Sequence, residues 1–261
     1  MAILELKGVT MRFGGIVAVD NLDLTVEPGS IHGLIGPNGA GKSTVFNMIS
    51  RYYEPTSGTI TFEGKDLHRA QPHDVINRGI ARTFQNVELF KGLTVWDNLM
   101  VGQHHSIRYG LLASAAGQLL PKVRRIEREA RERAVEVMNF LGIAEYRNAY
   151  PQFLPYGIQK RVEFARALVS RPKLILLDEP AAGMNPQETL ELAKLIQVMR
   201  DQYQTTVLLV EHDMSLVMSI CEAITVMDFG RRIAHGTPAQ VQNDPAVIKA
   251  YLGEEEAAAH A

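Results

Sequence analysis

The stretch that decides the fold of this chain reads Gly36-Pro37-Asn38-Gly39-Ala40-Gly41-Lys42-Ser43-Thr44. It fits the pattern G-x-x-x-x-G-K-[ST] at every position. An apolar run at 31–35 precedes it and has the character of a buried strand, while Phe46 and Ile49 after it are spaced to face a core from a helix. Strand, glycine loop and helix in this order predict a phosphate-binding loop, in which backbone N–H groups and the helix dipole hold phosphate oxygens.

Two side chains of this loop have predicted roles toward a nucleoside triphosphate. Lys42 brings a positive charge to the β- and γ-phosphates, and the Ser43 hydroxyl is placed to ligate Mg²⁺. The alternative interpretation is a chance glycine turn before a helix. Because both ends of the motif and its surroundings agree, we predict that the chain binds a nucleoside triphosphate together with Mg²⁺.

Composition limits the classes of protein to consider. The 261 residues are 46% hydrophobic and 21% charged, as in an ordinary globular protein, and the net charge of −2 offers no general attraction for nucleic acid. Cys221 is the only cysteine and lies in an apolar stretch, so we predict a buried, inert thiol in a reducing compartment. No apolar run approaches the ~20 residues that cross a bilayer, and charged residues at Glu5, Lys7 and Arg12 interrupt any N-terminal signal segment.

The order of the predicted elements is that of an α/β domain with a helical insertion. Strands are predicted at 3–13, 22–26, 31–35 and 59–62, and later at 174–177, 206–210 and 224–227, with helices at 186–203 and 214–221. Apolar residues at three- and four-residue steps between 123 and 141 predict a long helix in the insertion. Its arginines alternate with glutamates, which favours a solvated face over a nucleic-acid site.

An acidic pair follows the predicted strand 174–177. Asp178 and Glu179 would then lie at the carboxyl edge of a parallel sheet, where ligands of such folds bind. Asp178 fits an acid that helps to hold Mg²⁺, and Glu179 fits a general base for an attacking water. Taken alone, such a pair is more often a helix cap, but a phosphate loop in the same chain favours the catalytic interpretation.

With these residues and several later motifs in the same order, the chain resembles the nucleotide-binding subunit of ATP-binding cassette transporters over essentially its whole length. The further matching positions are Phe13, Gln85, the segment Leu154-Pro155-Tyr156-Gly157-Ile158-Gln159, the loop Gly183-Met184-Asn185, and His212. The resemblance implies a P-loop NTPase core with an N-terminal antiparallel β subdomain and an inserted helical subdomain. It places the catalytic core at 1–94 and 171–253, the helical subdomain at about 95–170, and a disordered tail at 254–261.

The resemblance also implies a role for each motif. Phe13 would stack on adenine, Gln85 would reach Mg²⁺ and the attacking water, and His212 would sense the γ-phosphate. The signature 154–159 would contact ATP bound to a second ATPase subunit, and the loop 183–185 would touch that subunit. As single residues, Phe13, Gln85 and His212 have alternative interpretations as a core aromatic, a surface amide and a strand-end histidine.

A narrower resemblance concerns the cargo. The segments 11–15, 179–186, 211–214 and 247–253 and the long linker at 104–122 are similar to the larger ATPase of branched-chain amino acid importers. This implies an ATPase at the cytoplasmic face of the inner membrane, paired with a second ATPase or with its own copy. Its further partners would be integral-membrane permeases docked near Gln85 to Trp96, a periplasmic binding protein acting through them, and no nucleic acid. Alternative cargoes are urea or lipopolysaccharide, and a more distant alternative is a cassette ATPase outside transport.

The signature departs from the family pattern L-S-G-G-Q in ways that bear on activity. Pro155 stands at the serine position, so a hydroxyl that would bond the partner's γ-phosphate is missing, while proline still suits a helix start. Tyr156 replaces a glycine. Ile158 stands at the glutamine position, and Gln159 follows directly after it. We therefore expect the composite site that uses this signature to be the weaker of two in a heterodimer.

Overall fold

A computed structural model describes residues 1–83, 87–104 and 121–251. Gln85, most of the predicted linker and the predicted tail at 254–261 lie outside the described residues. The chain divides into two compact units, one formed by residues 1–75 with those from 173 onward, the other by residues 76–172. The predicted bounds of the catalytic core and the helical subdomain stay predictions.

The strands are, in chain order, β1 (Leu4–Phe13), β2 (Ile16–Val26), β3 (Ile31–Ile35), β4 (Ser57–Phe62), β5 (Lys65–Asp66), β6 (Ile80–Arg82), β7 (Leu174–Asp178), β8 (Thr206–Val210), β9 (Ala223–Asp228) and β10 (Arg231–Gly236). The helices are α1 (Lys42–Ile49), α2 (Val95–Gly102), α3 (Pro121–Phe140), α4 (Tyr156–Leu168), α5 (Pro186–Tyr203), α6 (Met214–Ile220) and α7 (Pro238–Gln242). Short 3₁₀ turns lie at Pro72–Asp74, Ile76–Arg78, Ala144–Tyr146 and Pro151–Phe153.

The first unit contains two sheets. Strands β2, β1, β4 and β5 form an antiparallel sheet in that order. In the second sheet the order β10-β9-β3-β8-β7 joins a parallel group to an antiparallel edge strand, β10. Strands β3, β7 and β8 are buried along their whole length, as parallel strands covered on both faces should be. The predicted α/β class with an N-terminal antiparallel sheet is confirmed.

The register of the parallel strands decides where the chemistry lies. Leu34 of β3 and Asp178 of β7 are both paired with Val210 of β8. The three strands therefore end at one edge of the sheet, and the residues that follow them share that edge. These residues are the phosphate loop after β3, Glu179 after β7, and Glu211 with His212 after β8.

Some element bounds predicted from the sequence are wrong, each for a physical reason. Strand β2 begins at Ile16 rather than at 22, because its first half is largely exposed or half-buried and gives no apolar alternation. Strand β10 was missed for the same reason, since its residues are exposed or half-buried at the sheet edge. Helix α1 begins at Lys42, inside the loop motif, because the last residues of the motif already form its first turn.

The second unit packs helices α2, α3 and α4 against one another. Thr94 begins α2 with a capping box, in which its hydroxyl accepts from the Asp97 N–H and the Asp97 carboxylate accepts from the Thr94 N–H. The predicted apolar stripe of α3 is confirmed: Val123, Ala130, Ala134, Val137 and Leu141 are buried. On its solvent side, Glu127 and Arg131 form the expected pair at 3.7 Å.

Two further predictions concern single features. Cys221 is a free, buried cysteine, which confirms the predicted burial, and burial raises the pKa of its thiol to about 12. Within the described ranges, none of the helices combines the length and the apolar character that a membrane crossing requires.

Candidate active site

The phosphate loop leaves β3 through glycines whose backbone conformations other residues rarely adopt. Gly36 has φ +149°, and a Cβ there would lie 2.0 Å from the Met227 carbonyl oxygen. Gly41 has φ +100°, and a Cβ there would lie 2.5 Å from the Ala18 carbonyl oxygen. Glycine is therefore required at both positions, because the loop is pressed against β9 and β2. This packing fixes the path of the loop before α1 begins.

Lys42 and Ser43 occupy opposite environments at the start of α1. The Lys42 side chain is only 9% exposed, and its ammonium donates to the carbonyls of Gly36 and Pro37 at 2.5 and 2.8 Å. Ser43 is exposed. The first turn of α1 carries no acidic residue, so the positive end of its dipole is not neutralised from within. The arrangement suits an anion with several oxygens.

The acidic pair lies at the carboxyl edge of the sheet, as its place after β7 predicts. Asp178 is the last residue of β7 and is buried. Glu179 has φ +45°, which is uncommon for a residue with a side chain. Its N–H donates to the Val210 carbonyl at 2.9 Å, so the turn begins while still bonded to β8.

His212 lies beside Glu179, although the two are far apart in sequence. The His212 Nδ1 is 3.8 Å from the Glu179 carboxylate, and two-thirds of the histidine side chain is exposed. A carboxylate and an imidazole are thus brought together at one edge of the sheet. This is the arrangement expected for activating and orienting a water molecule.

Glu211 is the site residue that sequence reasoning missed. Its side chain is completely buried, and its carboxylate accepts backbone N–H bonds from Ala181, His212 and Asp213 at 2.7, 3.1 and 3.3 Å. Burial raises the pKa of Glu211, while these N–H donors act in the opposite direction. The available signal was a carboxylate directly after the apolar strand β8. Asp178 and Glu179 occupy the same kind of position at the end of β7.

Phe13 ends β1 at a hairpin and is 41% exposed. Its ring meets that of Tyr53 edge to face, with centroids 5.1 Å apart and planes at 76°. Phe13 is therefore a partly exposed aromatic with one supporting neighbour, which rules out its alternative interpretation as a fully buried core residue. Its stacking on adenine stays a prediction.

The signature segment lies in the second unit, at the start of α4. Pro155 is the N-cap of this helix and provides no side-chain acceptor, although its carbonyl accepts from the N–H groups of Ile158 and Gln159. The Gln159 amide turns back to donate to the Leu154 carbonyl at 2.8 Å. Tyr156 and Gly157 are exposed, and a Cβ on Gly157 would meet no atom within 4 Å.

The loop 183–185 lies in the first unit and leads into α5. Gly183 has φ +78°. Asn185 caps α5 in a capping box with Glu188, with N–H to oxygen distances of 3.0 and 2.9 Å. The Asn185 side chain thus has a role within its own unit, beside the predicted contact with a partner.

A family model described as ABC transporter matches residues 19–182, which include the phosphate loop, the signature and the acidic pair. The chain belongs to this family. A second model, described as branched-chain amino acid ATP-binding cassette transporter, matches residues 231–257 of the cassette.

The chain is also similar to a curated relative and to two solved cassette structures. It is 47% identical over 252 residues to the high-affinity branched-chain amino acid transport ATP-binding protein BraF of Pseudomonas aeruginosa, covering 97% of this chain and 98% of BraF. The ADP conformation of MJ1267, an ATP-binding cassette of an ABC transporter, has a TM-score of 0.83 at 32% identity, covering 97% of this chain and 99% of that one. The dimeric cassette MJ0796 bound to ADP and Pi has a TM-score of 0.74 at 26% identity, covering 90% and 98%.

The chain is thus an ABC ATPase, which binds ATP and couples its hydrolysis to transport. The described part of the cassette brings the phosphate loop, Asp178, Glu179 and His212 to one edge of the first unit. The signature stands apart from them in sequence and belongs to the second unit.

Proposed function

We propose that this ABC ATPase powers the import of branched-chain amino acids from the cytoplasmic face of the inner membrane. The observation that carries the cargo is the match of residues 231–257 to the model of branched-chain amino acid cassettes. The full-length similarity to BraF supports the same assignment.

Binding of the triphosphate begins at the phosphate loop. The backbone N–H groups of 36–44 and the start of α1 would hold the β- and γ-phosphates, and Lys42 would exchange its bonds to the Gly36 and Pro37 carbonyls for bonds to phosphate oxygens. Phe13, supported by Tyr53, would offer a ring face to the adenine. These contacts fix the γ-phosphate above the carboxyl edge of the sheet.

The residues present fit Mg²⁺. Ser43 offers an exposed hydroxyl in the first turn of α1, and Asp178 offers a carboxylate at the end of β7. Oxygen donors of this kind suit Mg²⁺, which takes one or two protein ligands and fills its shell with phosphate oxygens and water. The Ser43 hydroxyl and the Asp178 carboxylate would hold it, with Gln85 as the further predicted ligand. Bound there, Mg²⁺ would neutralise charge that develops on the phosphates.

Hydrolysis then needs a base and an oriented water. Glu179 would accept a proton from the water that attacks the γ-phosphorus, and the bond from phosphorus to the β,γ-bridging oxygen would break. His212, whose Nδ1 is 3.8 Å from Glu179, would hold the water and the γ-phosphate in line. The Glu179 N–H is bonded to Val210 of the sheet, and the His212 N–H is bonded to the Glu211 carboxylate, which supports the placement of both side chains.

A second cassette would complete the site. Its signature would contact this chain's ATP, while this chain's 154–159 would contact the partner's, and the loop 183–185 would touch the partner as well. The dimeric form of MJ0796 supports pairing of this kind. The partner is a second, different ATPase subunit or another copy of the chain.

The permease contact is proposed for the second unit. Trp96 is half-buried, and the Arg147 guanidinium lies 3.8 Å from its ring centroid. Trp96 and Arg147 border a cleft of about 440 Å³. Integral-membrane permeases would dock near this cleft, and a periplasmic binding protein would act through them.

The cargo assignment is tested by capturing the tagged chain with its membrane partners and reconstituting the complex in proteoliposomes. We expect ATP-dependent uptake of leucine, with ATPase activity stimulated by the leucine-loaded binding protein. A complex carrying Glu179→Gln serves as the control that assembles without transport. Movement of urea or lipopolysaccharide instead of leucine would overturn the cargo assignment, while an active ATPase would keep the enzyme assignment.

A further inference from the structure

We propose that Glu211 is a positioning residue that ties the turn carrying Glu179 to the turn carrying His212, so that base and imidazole move as one unit. This inference rests on the proposed roles of Glu179 and His212. It concerns the same reaction and assigns a task to a buried carboxylate that the proposed mechanism does not otherwise use.

The two oxygens of Glu211 serve different turns. One oxygen accepts from the Ala181 N–H at 2.7 Å, two residues after Glu179. The other accepts from the N–H groups of His212 and Asp213 at 3.1 and 3.3 Å. Ala181 and Glu211 are 30 residues apart, so this bond is a tertiary link between two catalytic turns.

The complete burial of the Glu211 side chain indicates that its carboxylate serves these three hydrogen bonds. The Glu211 side chain has no exposed area, and burying a charge is costly unless hydrogen bonds compensate for it. Three backbone donors supply that compensation, and bonds to an ionised acceptor are stronger than neutral ones. The Nδ1 of His212 lies 3.9 Å away, so the same carboxylate also faces the imidazole that it positions.

The conformation of Glu179 shows what the link holds in place. Its φ of +45° costs energy for a residue with a side chain, and such strain persists only where the surroundings enforce it. The Glu179 N–H is bonded to Val210, and the Ala181 N–H is bonded to Glu211. These two bonds bracket Glu179 and Pro180. Without the second one, the turn is free to relax, and the Glu179 carboxylate would leave its place beside His212.

The test measures ATP hydrolysis by the assembled complex for Glu211→Ala and Glu211→Gln. A misplacement of about 1 Å costs on the order of 100-fold in rate, so we expect kcat to fall about 100-fold for Glu211→Ala. In Glu211→Gln, the amide oxygen would still serve one turn while the NH₂ group faces donors on the other, so a fall of about 10-fold is expected. KM for ATP should stay unchanged, because the phosphate loop is untouched.

A double-mutant cycle separates positioning from general damage to the fold. If Glu211 acts by holding the Glu179 carboxylate in place, Glu211→Ala should lower kcat less than about twofold in a Glu179→Gln background. A full loss of about 100-fold in that background, or a rise in KM with unchanged kcat, would overturn the proposal. Glu222→Gln is the matched control, since Glu222 also accepts a backbone N–H, from Ile31, but at the other end of β3.

Two further readouts keep the outcomes distinct. Thermal unfolding and ATP binding of each variant give the folded, binding-competent fraction, to which kcat is normalised. If the parent complex hydrolyses ATP and both Glu211 variants keep its kcat, the positioning role alone is wrong. If the parent complex itself does not hydrolyse ATP, the proposed function fails and the Glu211 variants are not the reason.

Discussion

The phosphate loop and the signature segment are both glycine-containing starts of helices, yet the chain builds them differently. Around the loop, a Cβ on Gly36 or Gly41 would strike backbone within 2.5 Å, and the Lys42 side chain is buried. Around the signature, a Cβ on Gly157 would meet open space, and Pro155 caps α4 without a side-chain bond. The loop is therefore specified by the chain's own packing, whereas packing does not restrict Gly157 of the signature, which suits the contact with a partner's ATP that we propose.

This difference explains where the sequence can depart from the family pattern. A substitution in the loop would disturb the core that supports it. We expect that a substitution in the signature, such as Pro155 for serine or Ile158 for glutamine, costs the fold little and acts mainly on function, since Pro155 is exposed and Ile158 is half-buried.

The largest effect is expected at Glu179, which lies in the first unit together with the phosphate loop. Glu179→Gln removes the proposed general base while keeping the size of the side chain, so turnover should fall about 10³-fold. ATP binding should be retained, because the phosphate loop does not depend on Glu179. Single-turnover hydrolysis and equilibrium nucleotide binding check the two parts. Full turnover in this variant would remove Glu179 from the mechanism.

A pair of glycine substitutions compares the two regions directly. Gly36→Ala places a methyl group 2.0 Å from the Met227 carbonyl oxygen and should lower the free energy of unfolding by about 3 kcal/mol. Gly157→Ala adds a methyl group in open space near a helix start, so it should leave stability unchanged or raise it slightly. It should nevertheless lower the ATPase rate of the assembled complex. Chemical denaturation and steady-state ATPase assays measure both, and equal destabilisation would refute the contrast.

The smallest effect is an expected gain in the ATPase rate of the assembled complex. Pro155→Ser would return a hydroxyl to the signature, and a bond of this kind to a charged phosphate contributes about 1.5 kcal/mol, or about tenfold in rate. The assembled complex should therefore hydrolyse ATP faster. Pro151→Ser changes a proline outside the signature and is the matched control. An unchanged or lower rate for Pro155→Ser would show that the missing hydroxyl does not limit this complex.

Local patterns predicted the phosphate loop, Asp178 and Glu179, because strand, loop and charge are adjacent in sequence. The pairing of Glu179 with His212 was implied only by resemblance, since the two are distant in sequence and only the register of β7 and β8 brings them together. Glu211 escaped prediction for a similar reason, because the Ala181 N–H that reveals its role comes from another turn. The roles of Gln85 and Phe13 stay predictions.

Strand bounds were predictable only where burial imposes a pattern. The fully buried strands β3 and β8 were located at their observed bounds, because a continuous apolar run marks them. The first half of β2 and the edge strand β10 show no regular alternation of apolar and polar residues. Their bounds are therefore set by backbone hydrogen bonds to neighbouring strands and cannot be recognised from a side-chain pattern.

The central claim is that backbone N–H groups and the Lys42 ammonium hold a triphosphate at the edge of the first unit. Equilibrium binding of ATP to purified Lys42→Ala, compared with the parent chain, tests it most directly. The account predicts that nucleotide affinity is lost while thermal unfolding without nucleotide shows a folded chain. Retention of ATP as tightly as in the parent would contradict it.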